Sequence, residues 1–122
     1  MKITICRKAH FNAAHKLYNP VLSNDENFEI FGKCSYENFH GHNYELIVKI
    51  LGDIDPKTGM VMDLSDLKKI IKTEVEDLLD HKNLNLDIPH FKDVIPTTEN
   101  LAIFIWNLSL IHISEPTRQF RI

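Results

Sequence analysis

Three histidines have the residue type and spacing of a metal site. His40 and His42 flank Gly41, and His15 lies upstream. Residues at i and i+2 of an extended strand lie on one face, so the two imidazoles would point the same way. With His15 from another strand they would supply three ligands and leave one position of a tetrahedral zinc open, as in catalytic zinc sites. We interpret the three as zinc ligands rather than ordinary surface or packed histidines. Gly41 is expected to let another backbone come close.

Cys34, just before His40, is open to three interpretations. It could be a fourth ligand, which would close the site and make it structural. It could be a small buried apolar residue, as free cysteines commonly are. It could also be an acid/base thiol whose proton affinity is lowered by the nearby cation.

Asp80-His81 and Glu99 are further candidates. An adjacent Asp and His can simply end a helix, or can form a proton-transfer pair in which the carboxylate orients the imidazole. Glu99 follows Thr97-Thr98, either of which can cap a helix. It can be a favourable first-turn acid, or a carboxylate that accepts two parallel hydrogen bonds from an amino-heterocycle.

Length and composition predict one globular domain. The chain has 122 residues, of which 43% are hydrophobic and 25% charged. A net charge of -3 gives no reason to expect nucleic acid or an anionic membrane as a partner. No apolar run approaches the roughly 18 residues of a membrane-spanning helix. Two cysteines do not make a disulfide framework, and a reducing compartment would keep both as thiols, so we expect a cytoplasmic protein.

Periodicity predicts two long strands and two helices. Residues Lys2 to His15 and about His40 to Leu51 alternate in the manner of strands. A long loop is predicted from Leu17 to Lys33, and a hairpin connection from Asp53 to Gly59. Met60 to Met62 is expected to begin a return strand.

The first predicted helix runs from Leu64 to Leu79, with Asp63 as its N-cap. Its apolar stripe comprises Leu64, Leu67, Ile71, Val75 and Leu78. A loop is expected from Asp87 to Pro96. The second helix begins after Thr97 or Thr98 and continues through Asn107; its buried side comprises Leu101, Phe104, Ile105 and Leu108.

The last segment has an unusual sequence. Residues 108–118 resemble the translated reading frame of a transposase adapter used in sequencing libraries. We therefore assign residues 1–107 to the domain and residues 108–122 to a suspected non-native tail. The alternative is a genuine helical extension that ends at Pro116.

Several motifs, in order, carry a family resemblance. They are FNAAHKL (11–17), FGKC (31–34), HGHNY (40–44), GDIDP (52–56), GMVMDLSDLK (59–68), LDHKNLN (79–85) and PTTEN (96–100). Together they resemble the 6-pyruvoyl-tetrahydropterin synthase and 6-carboxy-tetrahydropterin synthase family. The resemblance implies an α+β tunnelling fold, with an antiparallel sheet covered on one face by two helices. It also implies trimers or hexamers with active sites between subunits, and C-terminal strands that are missing from this chain.

The resemblance also implies roles for the candidate residues. Cys34 would be the proton-abstracting thiol, Asp80 with His81 the relay, and Thr98 with Glu99 part of the pterin pocket. The zinc ligands would be His15, His40 and His42.

The implied reaction converts 7,8-dihydroneopterin triphosphate to 6-pyruvoyl-tetrahydropterin with release of triphosphate, in tetrahydrobiopterin biosynthesis. The five residues between Cys34 and His40, and the long loop before Cys34, favour this product. The alternative is the 6-carboxy product of the queuosine pathway, formed with acetaldehyde. A more remote alternative is a non-catalytic module that binds zinc or pterin.

Overall fold

A four-stranded sheet with helices packed against it forms the fold. The computed structural model describes residues 1–109 and 117–121. Its strands are β1 (Lys2–His15), β2 (His40–Asp53), β3 (Lys82–Asn83) and β4 (Thr117–Arg121), in the spatial order β3-β1-β2-β4. Its α-helices are α1 (Asn24–Phe31), α2 (Leu64–Ile71), α3 (Asp77–Leu79), α4 (Leu84–Asp87) and α5 (Thr98–Ser109). The predicted α+β class, with a mainly antiparallel sheet, is confirmed.

The centre of the sheet is the antiparallel pair β1-β2. Its register runs from Lys2 opposite Asp53 to His15 opposite His40. Side chains on the helix-facing side are buried because alternate residues of a strand point to the same face; they include Ala9, Phe11, Ala13, Leu46, Val48 and Ile50. Both predicted strands are confirmed. The predicted return strand at Met60 is wrong: Met60 makes one isolated bridge to Asp55, within a turn that Gly59 closes at φ 73°.

The first predicted helix forms, with Asp63 as N-cap, but it is not α-helical throughout. A π-helical turn, Lys72–Glu76, connects α2 to α3. A π-turn takes one extra residue, so the buried face shifts along the sequence. Leu79 is therefore fully buried, whereas Leu78 is 37% exposed. The predicted stripe holds at Leu67, Ile71 and Val75, and is wrong at Leu78 and at Leu64, which is 45% exposed.

Several short elements lie in segments where periodicity predicts neither a helix nor a strand. Helix α1 occupies part of the long loop, and a 3-10 turn, Gly32–Ser35, follows it. The strand β3 adds a parallel edge to β1 at Ala13 and Ala14. Helix α4 and a 3-10 turn, Pro89–Lys92, come next along the chain. Apart from α1, these pieces have at most four residues, too few to show a hydrophobic period, which is why periodicity does not predict them.

The second predicted helix is α5. Its N-cap is Thr97, whose Oγ1 accepts a hydrogen bond from the Asn100 backbone N–H at 3.2 Å. Leu101 and Ile105 on its inner side are fully buried. No helix in the described part of the chain is long and apolar enough to cross a membrane.

The suspected non-native tail lies partly outside the described residues, which leave out 110–116 and 122. Within it, β4 pairs antiparallel with residues 47–51 of β2. The assignment of residues 108–122 to a foreign sequence stays a prediction.

Candidate active site

The three histidines converge at one end of the β1-β2 pair. His15 lies opposite His40 in the antiparallel register, and His42 follows two residues later on the same face. The ring centroids are 4.6–4.7 Å apart in all three pairs, with nearly perpendicular planes. The Nε2 atoms of His15 and His40 lie 3.0 Å apart. Nitrogen ligands at about 2.0–2.1 Å from one tetrahedral ion would be about 3.3 Å apart, so the geometry is close to that of a metal site.

The exposure and the pKa values of the three histidines also suit a metal-binding site. His15 is 5% exposed, His40 is half-buried and His42 is exposed, so the cluster opens towards solvent at His42. Burial lowers the pKa of His15, and the neighbouring histidines lower it further; a hydrogen bond to the Pro96 carbonyl partly offsets these effects. Burial, and then the charge of His42, lowers the pKa of His40. Neutral imidazole is the form that binds a metal, so these shifts favour binding.

Cys34 joins the same cluster. One ligand atom each from His15, Cys34, His40 and His42 can be chosen so that all four lie within 4.8 Å of one another. The 3-10 turn after α1 places the half-buried Cys34 here, and its carbonyl accepts a hydrogen bond from the Leu17 N–H at 2.8 Å. The geometry keeps two interpretations of Cys34 open, as fourth ligand or as nearby thiol.

Thr98 and Glu99 share a cavity with the Cys34 thiol and the histidine cluster. This cavity, of about 420 Å³, is lined by His15, Cys34, His42 and Tyr44 together with Thr98 and Glu99. Glu99 lies in the first turn of α5, where a carboxylate is stabilised by the helix dipole. Burial, and then the charge of Cys34, raises the pKa of Tyr44 to about 12, so its hydroxyl stays protonated.

Asp80 and His81 lie at the other side of His42. Asp80 Oδ1 accepts the Asn12 N–H at 2.8 Å, and Asp80 Oδ2 lies 2.9 Å from His81 Nδ1. The hydrogen bond from Asn12, then the one from His81, lowers the pKa of Asp80. His81 has a left-handed backbone (φ 59°), which is unusual for a non-glycine residue, and an exposed side chain.

His81 and Cys34 line two different cavities of one chain. His81 lines a cavity of about 380 Å³ together with Gly41. Among the described residues, His42 and Asn43 line both cavities. The expected close backbone approach at Gly41 is wrong. A Cβ there would meet the Ala13 carbonyl oxygen at 3.9 Å, an ordinary contact, so the glycine leaves the cavity open rather than avoiding a clash.

Two groups at the site were not predicted from the sequence. The Pro96 carbonyl lies 2.9 Å from His15 Nδ1 across 81 positions of sequence, and a backbone oxygen leaves no residue-type pattern. The Asn85 side chain accepts from the Lys16 N–H at 2.8 Å and donates to the Lys16 carbonyl at 3.0 Å. It thereby extends the pairing of β1 one residue beyond His15. Asn85 ends the LDHKNLN motif, so only the motif could have indicated it.

Taken together, fold and site define an α+β protein whose histidine cluster can hold a metal ion next to a thiol. A family model described as 6-pyruvoyl tetrahydropterin synthase matches residues 4–118. The chain belongs to this family.

Similar proteins support the assignment. The chain is 52% identical over 103 residues to 6-pyruvoyl tetrahydrobiopterin synthase of Homo sapiens, covering 84% of this chain and 71% of that protein. It is 48% identical over 105 residues to the enzyme of the same name from Dictyostelium discoideum, covering 86% and 76%. A solved structure of Caenorhabditis elegans 6-pyruvoyl tetrahydropterin synthase superposes with a TM-score of 0.87 at 43% identity, covering 95% of this chain and 82% of that one.

Proposed function

We propose that this protein is a zinc-dependent lyase that converts 7,8-dihydroneopterin triphosphate to 6-pyruvoyl-tetrahydropterin and triphosphate. The observation that carries the proposal is the convergence of His15, His40 and His42 beside Cys34, in a chain of this family. The names of the similar proteins favour the 6-pyruvoyl product. We propose that the enzyme acts in the cytoplasm, in tetrahydrobiopterin biosynthesis.

The donor set fits zinc. Imidazole nitrogen is a common zinc ligand, and three such ligands leave a position for substrate. Lowered pKa values keep His15 and His40 neutral and ready to bind. Zinc held there would act as a Lewis acid that makes the side-chain hydroxyls of the substrate more acidic.

The remaining steps belong to the side chains around the ligands. Cys34, as thiolate, takes a proton from the substrate side chain, and His81, oriented by Asp80, returns a proton elsewhere. Thr98 and Glu99 hold the pterin, because a carboxylate can accept two parallel hydrogen bonds from its amino-pyrimidine edge. Triphosphate leaves by elimination, which is redox-neutral. Oxidation of a side-chain alcohol to a carbonyl balances reduction of the dihydropterin ring to a tetrahydropterin, so the reaction needs no external oxidant.

We propose further that the active site is completed between subunits of a homo-oligomer. Cys34 and His81 of one chain line different cavities, which supports a relay supplied to each thiol by His81 of the partner subunit. An exposed His81 side chain on a strained backbone suits a group presented outward.

Complementation tests this arrangement. Cys34→Ala and His81→Ala are each expected to be inactive alone. Subunit exchange between them would create some sites that carry both an intact thiol and an intact relay, and so would restore part of the activity. If both groups acted within one chain, every mixed site would lack one of them and the mixture would stay inactive.

A turnover assay tests the function itself. Purified protein loaded with zinc is incubated with 7,8-dihydroneopterin triphosphate, and triphosphate, pterin product and acetaldehyde are measured. Triphosphate without acetaldehyde is expected. Acetaldehyde would instead identify the 6-carboxy reaction of the queuosine pathway, and zinc binding without triphosphate release would identify a non-catalytic binding module.

Finally, we propose that residues 108–122 are a non-native tail. Resequencing the locus across the Asn107 codon tests this, and a native read that continues through the tail would contradict it. The turnover assay is run on the chain as it stands and on a chain that carries the resequenced C-terminus.

A further inference from the structure

His15 makes a buried contact that determines which of its nitrogens is free. Its Nδ1 lies 2.9 Å from the Pro96 carbonyl oxygen, whereas the Tyr44 hydroxyl lies farther from the same atom, at 3.4 Å. A carbonyl oxygen only accepts, so His15 Nδ1 must carry the proton and donate it. The lone pair of a neutral ring is then on Nε2, the atom that faces His40. Metal-binding histidines are oriented in this way by a partner on their other nitrogen.

Asn100 contacts the two residues that flank Pro96. The Asn100 side-chain amide donates to the Ile95 carbonyl at 2.9 Å, and its backbone N–H donates to Thr97 Oγ1 at 3.2 Å. Thr97 N–H donates to the Ile95 carbonyl at 2.8 Å, which closes the turn around Pro96. One half-buried residue therefore contacts the chain on both sides of the Pro96 peptide, and Pro96 itself is buried.

We propose that Asn100 is a positioning residue, which acts through the Pro96 carbonyl to hold His15 in the tautomer and orientation that bind the metal. The inference rests on the metal site of the proposed function. It adds a residue that lies outside the ligand cluster and outside the cavity lining. The same turn leads directly into Thr98 and Glu99, so Asn100 holds the ligand from the segment that lines the substrate cavity.

The test compares Asn100→Ala with a matched control, Asn107→Ala. Asn107 is an exposed asparagine two turns farther along the same helix α5. Zinc affinity is measured by competition with a chromophoric chelator, with no substrate present. Loss of the direct partner of a metal ligand costs about 10–100-fold in metal affinity. Asn100 acts one step behind that partner, so we expect a loss of about 10-fold, the lower end of this range, for Asn100→Ala and less than about twofold for Asn107→Ala.

Two further measurements separate positioning from a general effect on folding. Long-range ¹H–¹⁵N spectra of the metal-free wild type are expected to show the His15 proton on Nδ1, and a mixture of tautomers in Asn100→Ala. The second variant, Asn100→Asp, keeps the side-chain size but removes the donor to Ile95, and is expected to weaken zinc binding in the same direction. If Asn100→Ala does not fold, the zinc affinity of Asn100→Asp and the His15 tautomer of the wild type test the inference instead.

The outcomes are distinguishable from failure of the proposed function. Zinc affinity in both Asn100 variants equal to that of Asn107→Ala, or a wild-type His15 protonated on Nε2, would overturn the inference. A lower thermal midpoint with unchanged zinc affinity would show a purely structural role and would overturn it too. A wild type that binds no zinc overturns both proposals. One that binds zinc but releases no triphosphate overturns only the function.

Discussion

We predict that Asn27 stabilises the segment between β1 and β2 that carries Cys34. Its side chain is fully buried and contacts the backbone of Asn19, Leu22 and Ser23, near the start of α1. Oδ1 accepts from the Asn19 N–H at 2.7 Å, and Nδ2 donates to the Asn19 carbonyl at 3.0 Å and to the Ser23 carbonyl at 2.9 Å. A fourth contact, from Nδ2 to the Leu22 carbonyl, is longer, at 3.4 Å.

Replacing Asn27 by Ala removes all of these hydrogen bonds. At about 1 kcal/mol for each of the three shorter ones, the loss is about 3 kcal/mol. The Ser23 carbonyl keeps a second donor, the Asn27 backbone N–H at 3.0 Å, so the cost is smaller there. We therefore expect the free energy of unfolding to fall by about 2–3 kcal/mol, a change of roughly 30- to 160-fold in the folding equilibrium.

Urea unfolding of the metal-free protein, at fixed protein concentration, measures the change. With a slope of about 2 kcal/mol per molar urea, the midpoint should fall by about 1–1.5 M. The control is Asn38→Ala, at an exposed position before β2. Modification of Cys34 by a thiol reagent should also become faster in Asn27→Ala, because the 3-10 turn that carries Cys34 directly follows α1.

Asn27→Asp provides a second check on the reasoning. An aspartate keeps the acceptor for the Asn19 N–H but places a carboxylate against the Asn19 and Ser23 carbonyls. It should therefore destabilise at neutral pH at least as much as Ala, and its loss of stability relative to the wild type at the same pH should become smaller at about pH 4, where a protonated carboxyl can donate. If Asn27→Ala unfolds at the same urea concentration as Asn38→Ala and its thiol reacts no faster, the loop is held by something else.

Three other predictions follow from the structure. Leu79→Ala should lower the free energy of unfolding by about 2–5 kcal/mol, because Leu79 is fully buried, and Leu78→Ala by less than about 1 kcal/mol; equal costs in urea unfolding would contradict the shift of face at the π-turn. Cys34→Ala should retain zinc and lower kcat by about 10²- to 10⁴-fold, whereas loss of zinc in the chelator competition would make Cys34 a ligand. The pKa values of His15 and His40 are lower in the folded state than in the unfolded state. As the pH falls, the unfolded chain is therefore protonated at these two histidines before the folded chain is. The metal-free protein should therefore be most stable above about pH 6.5 and should lose stability as the pH falls below it, and urea midpoints across this range should show a smaller dependence in His15→Gln.

How far sequence alone predicts this fold depends on the length of each pattern. β1 and β2 each show alternation over 14 residues, and both strands were predictable. The π-turn was not, because a helix that gains one residue still shows apolar residues three and four apart. Helix α1 did leave a signal. Ser23 followed by Glu26 is a capping box, and both of its hydrogen bonds form, at 3.1 and 3.3 Å.

Sequence alone likewise predicts part of the candidate site. His40 and His42 could be placed together from their spacing, because the period of a strand is two residues. The partners that orient the site come from far along the chain: Pro96 contacts His15, and Asp80 contacts Asn12. Which distant backbone group meets which side chain depends on how the helices pack on the sheet, and spacing along the sequence does not determine that.

The antiparallel register explains why the histidine cluster and the thiol form one unit. His15 ends β1 and His40 begins β2, and the two lie opposite each other. The connecting segment, residues 16–39, therefore starts and ends at the histidine cluster, and any compact fold of that segment stays near it. The hydrogen bond from Leu17 N–H to the Cys34 carbonyl closes the segment at its base and brings the thiol back beside His15. Substitutions far from the ligands, such as Asn27→Ala, should consequently alter Cys34 while leaving the three imidazoles in place.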